Sequence, residues 1–125
     1  MKHLFVPYKI AELAKKNGFN ENCLACYDGD NNDLLKPIDT DFNFFRQIRG
    51  DKLKAPLYQQ LIDWFRVEHN MLIWVETATY LREFNYRYYI ETYDNKAEGM
   101  KTNDYYKALN EAIKKAFKMI PQISK

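Results

Sequence analysis

The chain has 125 residues, 46% of them hydrophobic and 16% aromatic, which excludes a disordered or low-complexity polymer and suffices for one domain with its own core. Its 19 basic and 17 acidic residues leave a formal charge of +2, a weaker basic bias than a dedicated duplex-DNA binder carries. No apolar run approaches the ~20 residues that span a bilayer, and two cysteines do not make a disulfide framework.

The start, MKHLFVPYK, holds too short an apolar patch for a signal peptide and is cut by Pro7, so the expected location is the cytoplasm. Ten Tyr and eight Phe are many for this length. Tyrosine half-buries its ring and keeps its hydroxyl wet, so the excess points to edges, grooves or a partner surface as well as core.

A first helix is expected over 7–17. Pro7 suits its opening, Ile10, Leu13 and Ala14 share one face, and Gly18 stops it, with Phe19 folding back onto the helix end. Cys23 to Tyr27 reads as a strand. After a polar turn from Asp28 to Asp33, a second strand from Leu34 to Ile38 completes a hairpin, and Pro37 places that strand at an edge or ends it. Over 39–54 two readings stay open: a short helix capped by Thr40 and stopped by Gly50, or an irregular linker whose phenylalanines tuck into the core.

The organising stretch is Ala55 to Thr77, APLYQQLIDWFRVEHNMLIWVET. Pro56 suits a first helical turn. At ~100° per residue, Leu57, Tyr58, Leu61, Ile62, Trp64 and Phe65 fall on one arc, opposite Gln59, Gln60, Asp63 and Arg66. His69 and Asn70 close the helix, the asparagine as a left-handed cap. Strands follow over Met71–Thr77 and Tyr86–Tyr93, joined by a connection from Ala78 to Asn85 that looks too long for a tight hairpin. Asp94 and Asn95 open a loop through Gly99. Asp104 then caps a last helix to Ile120, with Tyr105, Leu109, Ala112, Ile113, Ala116, Phe117 and Ile120 as its apolar stripe. The order helix–strand–strand, helix–strand–strand, helix predicts an α+β fold in two layers, with antiparallel hairpins packed against about three helices.

The stretch APLYQQLIDWFRVEHN, with Gly18, Phe19 and Cys23 before it and YYKALNEAIKKAFKMI after it, resembles a group of small proteins from the genomes of gut bacteria, their phages and mobile elements. The shared pattern, P-x-Y-Q-Q-x-I-D-W-F-R, is met by Pro56, Tyr58, Gln59, Gln60, Ile62, Asp63, Trp64, Phe65 and Arg66. The resemblance implies a context, an accessory protein of mobile DNA, and brings no activity, cofactor or catalytic residue with it.

Each chemical motif has a plainer reading. Cys23-Leu24-Ala25-Cys26 is a C-x-x-C, but redox use needs the first thiol at a helix N-terminus and zinc needs two more ligands, which His3 and His69 do not supply at a familiar spacing. Small buried thiols are expected. The run from Asp28 to Asp33 with Asp39 at position twelve imitates a calcium loop, yet the sixth position is Asp33 rather than glycine and the twelfth is not glutamate. Glu68, His69 and Glu76 bracket a helix-to-strand junction, where an acid–base pair has room and Glu68 falls near the apolar arc. A capping role for the histidine is the simpler account. The lysines of the last helix, Lys107, Lys114, Lys115 and Lys118, read as a solvated face.

The strand YRYYIETY carries most of the functional interest. Tyr86, Tyr88 and Ile90 share one face, expected to join Ile73 and Val75 in the core. Arg87, Tyr89, Glu91 and Tyr93 share the other, beside Trp74. Such a face suits a protein contact or self-association, base stacking on a single strand, or a plain covering by helices. Protein contact is favoured over nucleic acid, because the charge is near neutral and Glu91 sits inside the face. The expectation is therefore a non-enzymatic intracellular accessory or interaction protein without a cofactor or metal. Weak, sequence-tolerant single-strand binding is the alternative and an enzyme the third reading. The candidate contact surface is Trp74, Arg87, Tyr89 and Tyr93.

Overall fold

A computed structural model of the chain describes residues 2–28, 31–37 and 53–120. The fold is α+β: helices α1 (Tyr8–Lys16), α2 (Tyr58–His69) and α3 (Tyr105–Met119) alternate with strands β1 (Ala25–Asp28), β2 (Asn31–Pro37), β3 (Leu53–Ala55), β4 (Leu72–Tyr80), β5 (Glu83–Glu91) and β6 (Lys96–Glu98). The chain divides into two compact units, Met1–Leu61 and Ile62–Lys125, the division falling within α2.

In the first unit α1 buries Ile10, Ala11 and Ala14 and ends as its sequence dictates. Gly18 takes φ +96, Phe19 N–H donates to Ala14 C=O at 2.9 Å and Gly18 N–H to Lys15 C=O at 3.2 Å. That pair of bonds is a Schellman closure, and Phe19, 5% exposed, turns back to shield it. The sheet has the order β2-β1-β3, all antiparallel. Pro37 ends the edge strand β2, where the absence of its N–H costs no ladder bond.

The hairpin arrives with less turn than the polar run suggests. Asn31 already pairs with Asp28, and the register shifts between Tyr27 and Asp28. The calcium-like reading therefore fails, because Asn31 to Pro37 is strand rather than ligand loop. Gly29 and Asp30 lie outside the described residues, as do Ile38 and the short helix or linker expected before Leu53. The strand β3 was not expected. Three residues carry no readable period, and what makes them a strand is β1, with Tyr27 opposite Leu53 and Ala25 opposite Ala55.

The organising helix begins two residues later than its Pro56 suggests. Pro56 C=O accepts from Val6 N–H at 3.0 Å and Leu57 bridges Phe5, so this backbone is extended and the helix starts at Tyr58. Gln60 Nε2 ties the first turn to Asn22 C=O at 2.7 Å. Of the apolar arc, Tyr58, Leu61, Trp64 and Phe65 are buried and Leu57 and Ile62 half-buried; on the opposite side Gln59, Asp63 and Arg66 are exposed and Gln60 is half-buried. Asn70 caps the end with φ 52, and Met71 N–H returns to Phe65 C=O at 3.2 Å.

The second unit is a two-layer sandwich. The meander β4-β5-β6 lies under α3, which packs on β4 and β5. Asp104 caps α3 by accepting from Tyr106 N–H at 3.0 Å and Lys107 N–H at 3.2 Å. Leu109, Ala112, Ile113, Ala116 and Phe117 are buried, while Tyr105, at the start of the expected stripe, is 40% exposed. On the sheet, Ile73 and Ile90 are paired and buried beneath the helix layer, as the alternation predicts.

Two parts of this unit differ from expectation. The long connection between β4 and β5 is a two-residue turn, Leu81-Arg82, closed by the pairing of Tyr80 with Glu83. Both residues have positive φ, 52 and 68, the requirement of a type I′ turn. Neither residue advertises such a turn, which normally uses Asn-Gly, and holding ordinary side chains there costs roughly 1–2 kcal/mol per residue. Replacing Leu81-Arg82 by Asn-Gly is therefore expected to stabilise the protein by about 1–2 kcal/mol. An unchanged or lower urea midpoint would contradict this account of the turn.

The second difference is β6, found inside what reads as a polar loop. It pairs Lys96 to Glu98 with Glu91 to Tyr89. Gly99 follows because the Tyr88 ring lies over it: an added Cβ would collide with that ring.

Candidate functional site

Strand pairing assigns the faces of the second sheet. Trp74 lies opposite Tyr89 and Glu76 opposite Arg87 on β4 and β5, while Glu98 and Lys96 of β6 lie opposite Tyr89 and Glu91. Directly opposed residues project to the same side of a sheet. All of these side chains therefore share the face turned away from the one that carries Ile73 and Ile90.

At its centre the Trp74 and Tyr89 rings stack, with centroids 5.5 Å apart and planes 18° from parallel. Trp74 keeps 37% of its surface exposed, and Tyr89 is half-buried. Trp74 Nε1 donates to Glu76 Oε2 at 3.5 Å, at the long limit of a hydrogen bond. Beside the pair, Arg87 Nη1 donates to Glu98 Oε2 at 3.3 Å, and Arg87 Nε is buried without a partner. Both members of that ion pair are substantially exposed, so it orients the arginine more than it stabilises the fold. An open groove of about 320 Å³ runs beside the stack, lined by Trp74, Tyr89 and Glu91 with Lys96, Ala97 and Glu98.

Three of the four expected contact residues, Trp74, Arg87 and Tyr89, are thus brought together. Tyr93 is not part of the face. The strand β5 ends at Glu91, and Tyr93, 99% exposed, sits in the bend that Thr92 and Asn95 close, with Thr92 N–H donating to Asn95 C=O at 2.7 Å. Alternation alone carried Tyr93 onto the face, and the turn interrupts it. The residues that sequence reasoning missed are Lys96, Ala97 and Glu98, since a three-residue strand in a polar run gives no signal of its own.

The other candidates take up structural positions. Cys23 and Cys26 are both buried, and Cys23 precedes β1 instead of standing in it. Burial, with smaller contributions from Glu21 and Cys26 and against the opposing pull of Lys54, pushes the Cys23 thiol up to about 12. A thiol held neutral in this way is a poor nucleophile at ordinary pH. At the helix-to-strand junction Glu68, near the apolar arc on the wheel, is exposed, because the arc closes with Phe65. The His69 ring stands edge-on to Trp64, with centroids 4.8 Å apart and planes at 72°. Among the described residues no group of three or more His, Cys, Asp or Glu could hold a metal ion, and no helix is long and apolar enough to cross a membrane.

No protein-family model matches the chain, and comparison with curated proteins and with solved structures finds no match.

Proposed function

We propose that this protein is a non-enzymatic interaction protein, and that the exposed face of β4–β6 is where a protein partner docks. The observation that carries the reading is the stacked Trp74–Tyr89 pair, held open beside a groove. A rigid aromatic anchor next to a concavity is the usual composition of an interface centre.

The charges around the pair favour protein over nucleic acid. Glu76, Glu91 and Glu98 stand on this face against Arg87 and Lys96, and Arg87 is already turned to Glu98. A strand of phosphates would meet more repulsion than capture there. The resemblance of the Pro56–Arg66 stretch to small proteins of gut bacteria, phages and mobile elements supports an accessory role inside such a cell, with no cofactor.

Alanine at both Trp74 and Tyr89 is expected to lower stability, with a coupling of about 0.5–1.5 kcal/mol between the two positions, the value of one aromatic pair beyond the area it buries. The same change should abolish retention of a protein partner from nuclease-treated host lysate. Labelled single-stranded oligonucleotide, followed by fluorescence anisotropy, should bind neither the parent nor the variant. Salt-sensitive oligonucleotide binding that weakens by ~1–3 kcal/mol with Tyr89→Ala would replace this reading by base stacking. Partner retention equal in parent and double variant would remove the face from the function.

A further inference from the structure

The long edge of the second sheet carries an inference independent of what binds its face. Tyr86 exchanges both backbone bonds with Thr102, at 2.8 and 2.9 Å, and Tyr88 C=O accepts from Gly99 N–H, so the even residues of β5 turn their backbone toward β6. Its odd residues therefore bond β4, through the pairs Arg87–Glu76 and Tyr89–Trp74. It follows that the N–H and C=O groups of Ile73, Val75, Thr77 and Thr79 point out of the sheet along the β4 edge. Among the described residues no strand pairs with this edge.

Sheet edges are normally blunted by shortness, by lysine or by proline. The opposite edge, β6, is three residues long and includes Lys96. The β4 edge is nine residues, LIWVETATY, with no lysine, arginine or proline. Ile73 is 6% exposed, whereas Val75 is half-buried and Thr77, Ala78 and Thr79 are exposed. The accessible part of the edge is therefore Val75 to Thr79.

We propose that this edge pairs with the same edge of a second copy of the chain, antiparallel about a two-fold axis at Thr77. Backbone direction restricts the registers to those that set odd residues opposite odd ones. A pivot at Val75 would need the covered Ile73. A pivot at Glu76 would set two carboxylates directly opposite each other, which is destabilising. The pivot at Thr77 sets Thr77 opposite its twin, Val75 opposite Thr79 and Glu76 opposite Ala78. It uses only accessible backbone, separates the two glutamates and gains a cross-strand Thr–Thr pair. About six backbone hydrogen bonds form, two in each of three opposed pairs. The product is a six-stranded sheet in which both open faces lie on one side.

The experiment measures self-association of the full chain by sedimentation across a dilution series, in the parent and in Thr77→Pro. Proline there removes an outward N–H and no bond to β5, the setting in which a sheet tolerates it. The parent is expected to dimerise reversibly, and Thr77→Pro to raise the dissociation constant by about tenfold or more.

Cysteine scanning provides a second readout that survives a misfolded proline variant. At the pivot, opposed Cα atoms would be ~5.5 Å apart, within disulfide reach, so Thr77→Cys should oxidise to a linked dimer. Thr79→Cys, also exposed, would lie more than ~13 Å from its twin and should remain without the covalent link. The native Cys23 and Cys26 are buried and do not compete. A parent that stays monomeric at every concentration, an undiminished dimer in folded Thr77→Pro, or linkage through position 79 as fast as through 77 would each overturn the proposal. All three leave Trp74 and Tyr89 untouched, so failure here does not disturb the docking face.

Discussion

Phe65→Ala is expected to lower stability by ~3–5 kcal/mol, enough to unfold many proteins of this size. Phe65 is fully buried, and its ring meets Phe117 of α3 with centroids 4.8 Å apart and planes at 58°. Trp64 stands edge-on to it at 5.1 Å and also reaches Phe117 at 6.3 Å, so the three rings form one cluster joining α2 to α3. Truncation removes the transfer energy of the phenyl ring and leaves a hole that neighbouring aromatic rings, being rigid, fill poorly. The check is a urea titration followed by circular dichroism. A variant whose midpoint lies within experimental scatter of the parent would show that the apolar arc of α2 does not build the core.

Tyr27 is expected to show an effect of comparable size, and it separates two contributions. The residue is 3% exposed on β1, its hydroxyl donates to Val6 C=O at 2.7 Å, and its ring meets Tyr8 edge-on with centroids 5.5 Å apart. Tyr27→Phe keeps the ring and orphans a buried carbonyl, so a loss of about 1–3 kcal/mol is expected. Tyr27→Ala also removes the ring, for a total near 3–5 kcal/mol. Equal losses for the two variants would mean that the hydrogen bond, not the packing, carries the contribution of Tyr27. A negligible loss for Tyr27→Phe would mean that water reaches the Val6 carbonyl.

Elements written in local chemistry were legible in the sequence. The three helices follow from a 3.6-residue apolar period with a marked end: Gly18 after α1, Asn70 after α2 and Asp104 before α3. The alternation of YRYYIETY separated Ile90 from Arg87 and Tyr89 correctly, because a strand has no other way to place neighbouring side chains. What alternation could not show was where the strand stops, and so it misplaced Tyr93.

Tertiary pairing decided the rest. The strands β3 and β6 are each three residues long, too short for a period, and exist because β1 and β5 offer them an unfilled edge. Leu81 and Arg82 form a tight turn because the nine consecutive pairs between β4 and β5 bring the ends together, at a backbone cost their own side chains would not choose. Pro56 and Leu57 leave the helix for the same reason: Phe5 and Val6 take their backbone. The sequence by itself thus determined the α+β class, the helices and the sidedness of the aromatic strand, since these depend on each residue and its near neighbours. Only the tertiary structure decided the short strands, the turn between β4 and β5 and the assembled face of Trp74, Arg87, Tyr89, Lys96 and Glu98. Those depend on hydrogen bonds and ring contacts between residues far apart in the chain, which no local pattern encodes.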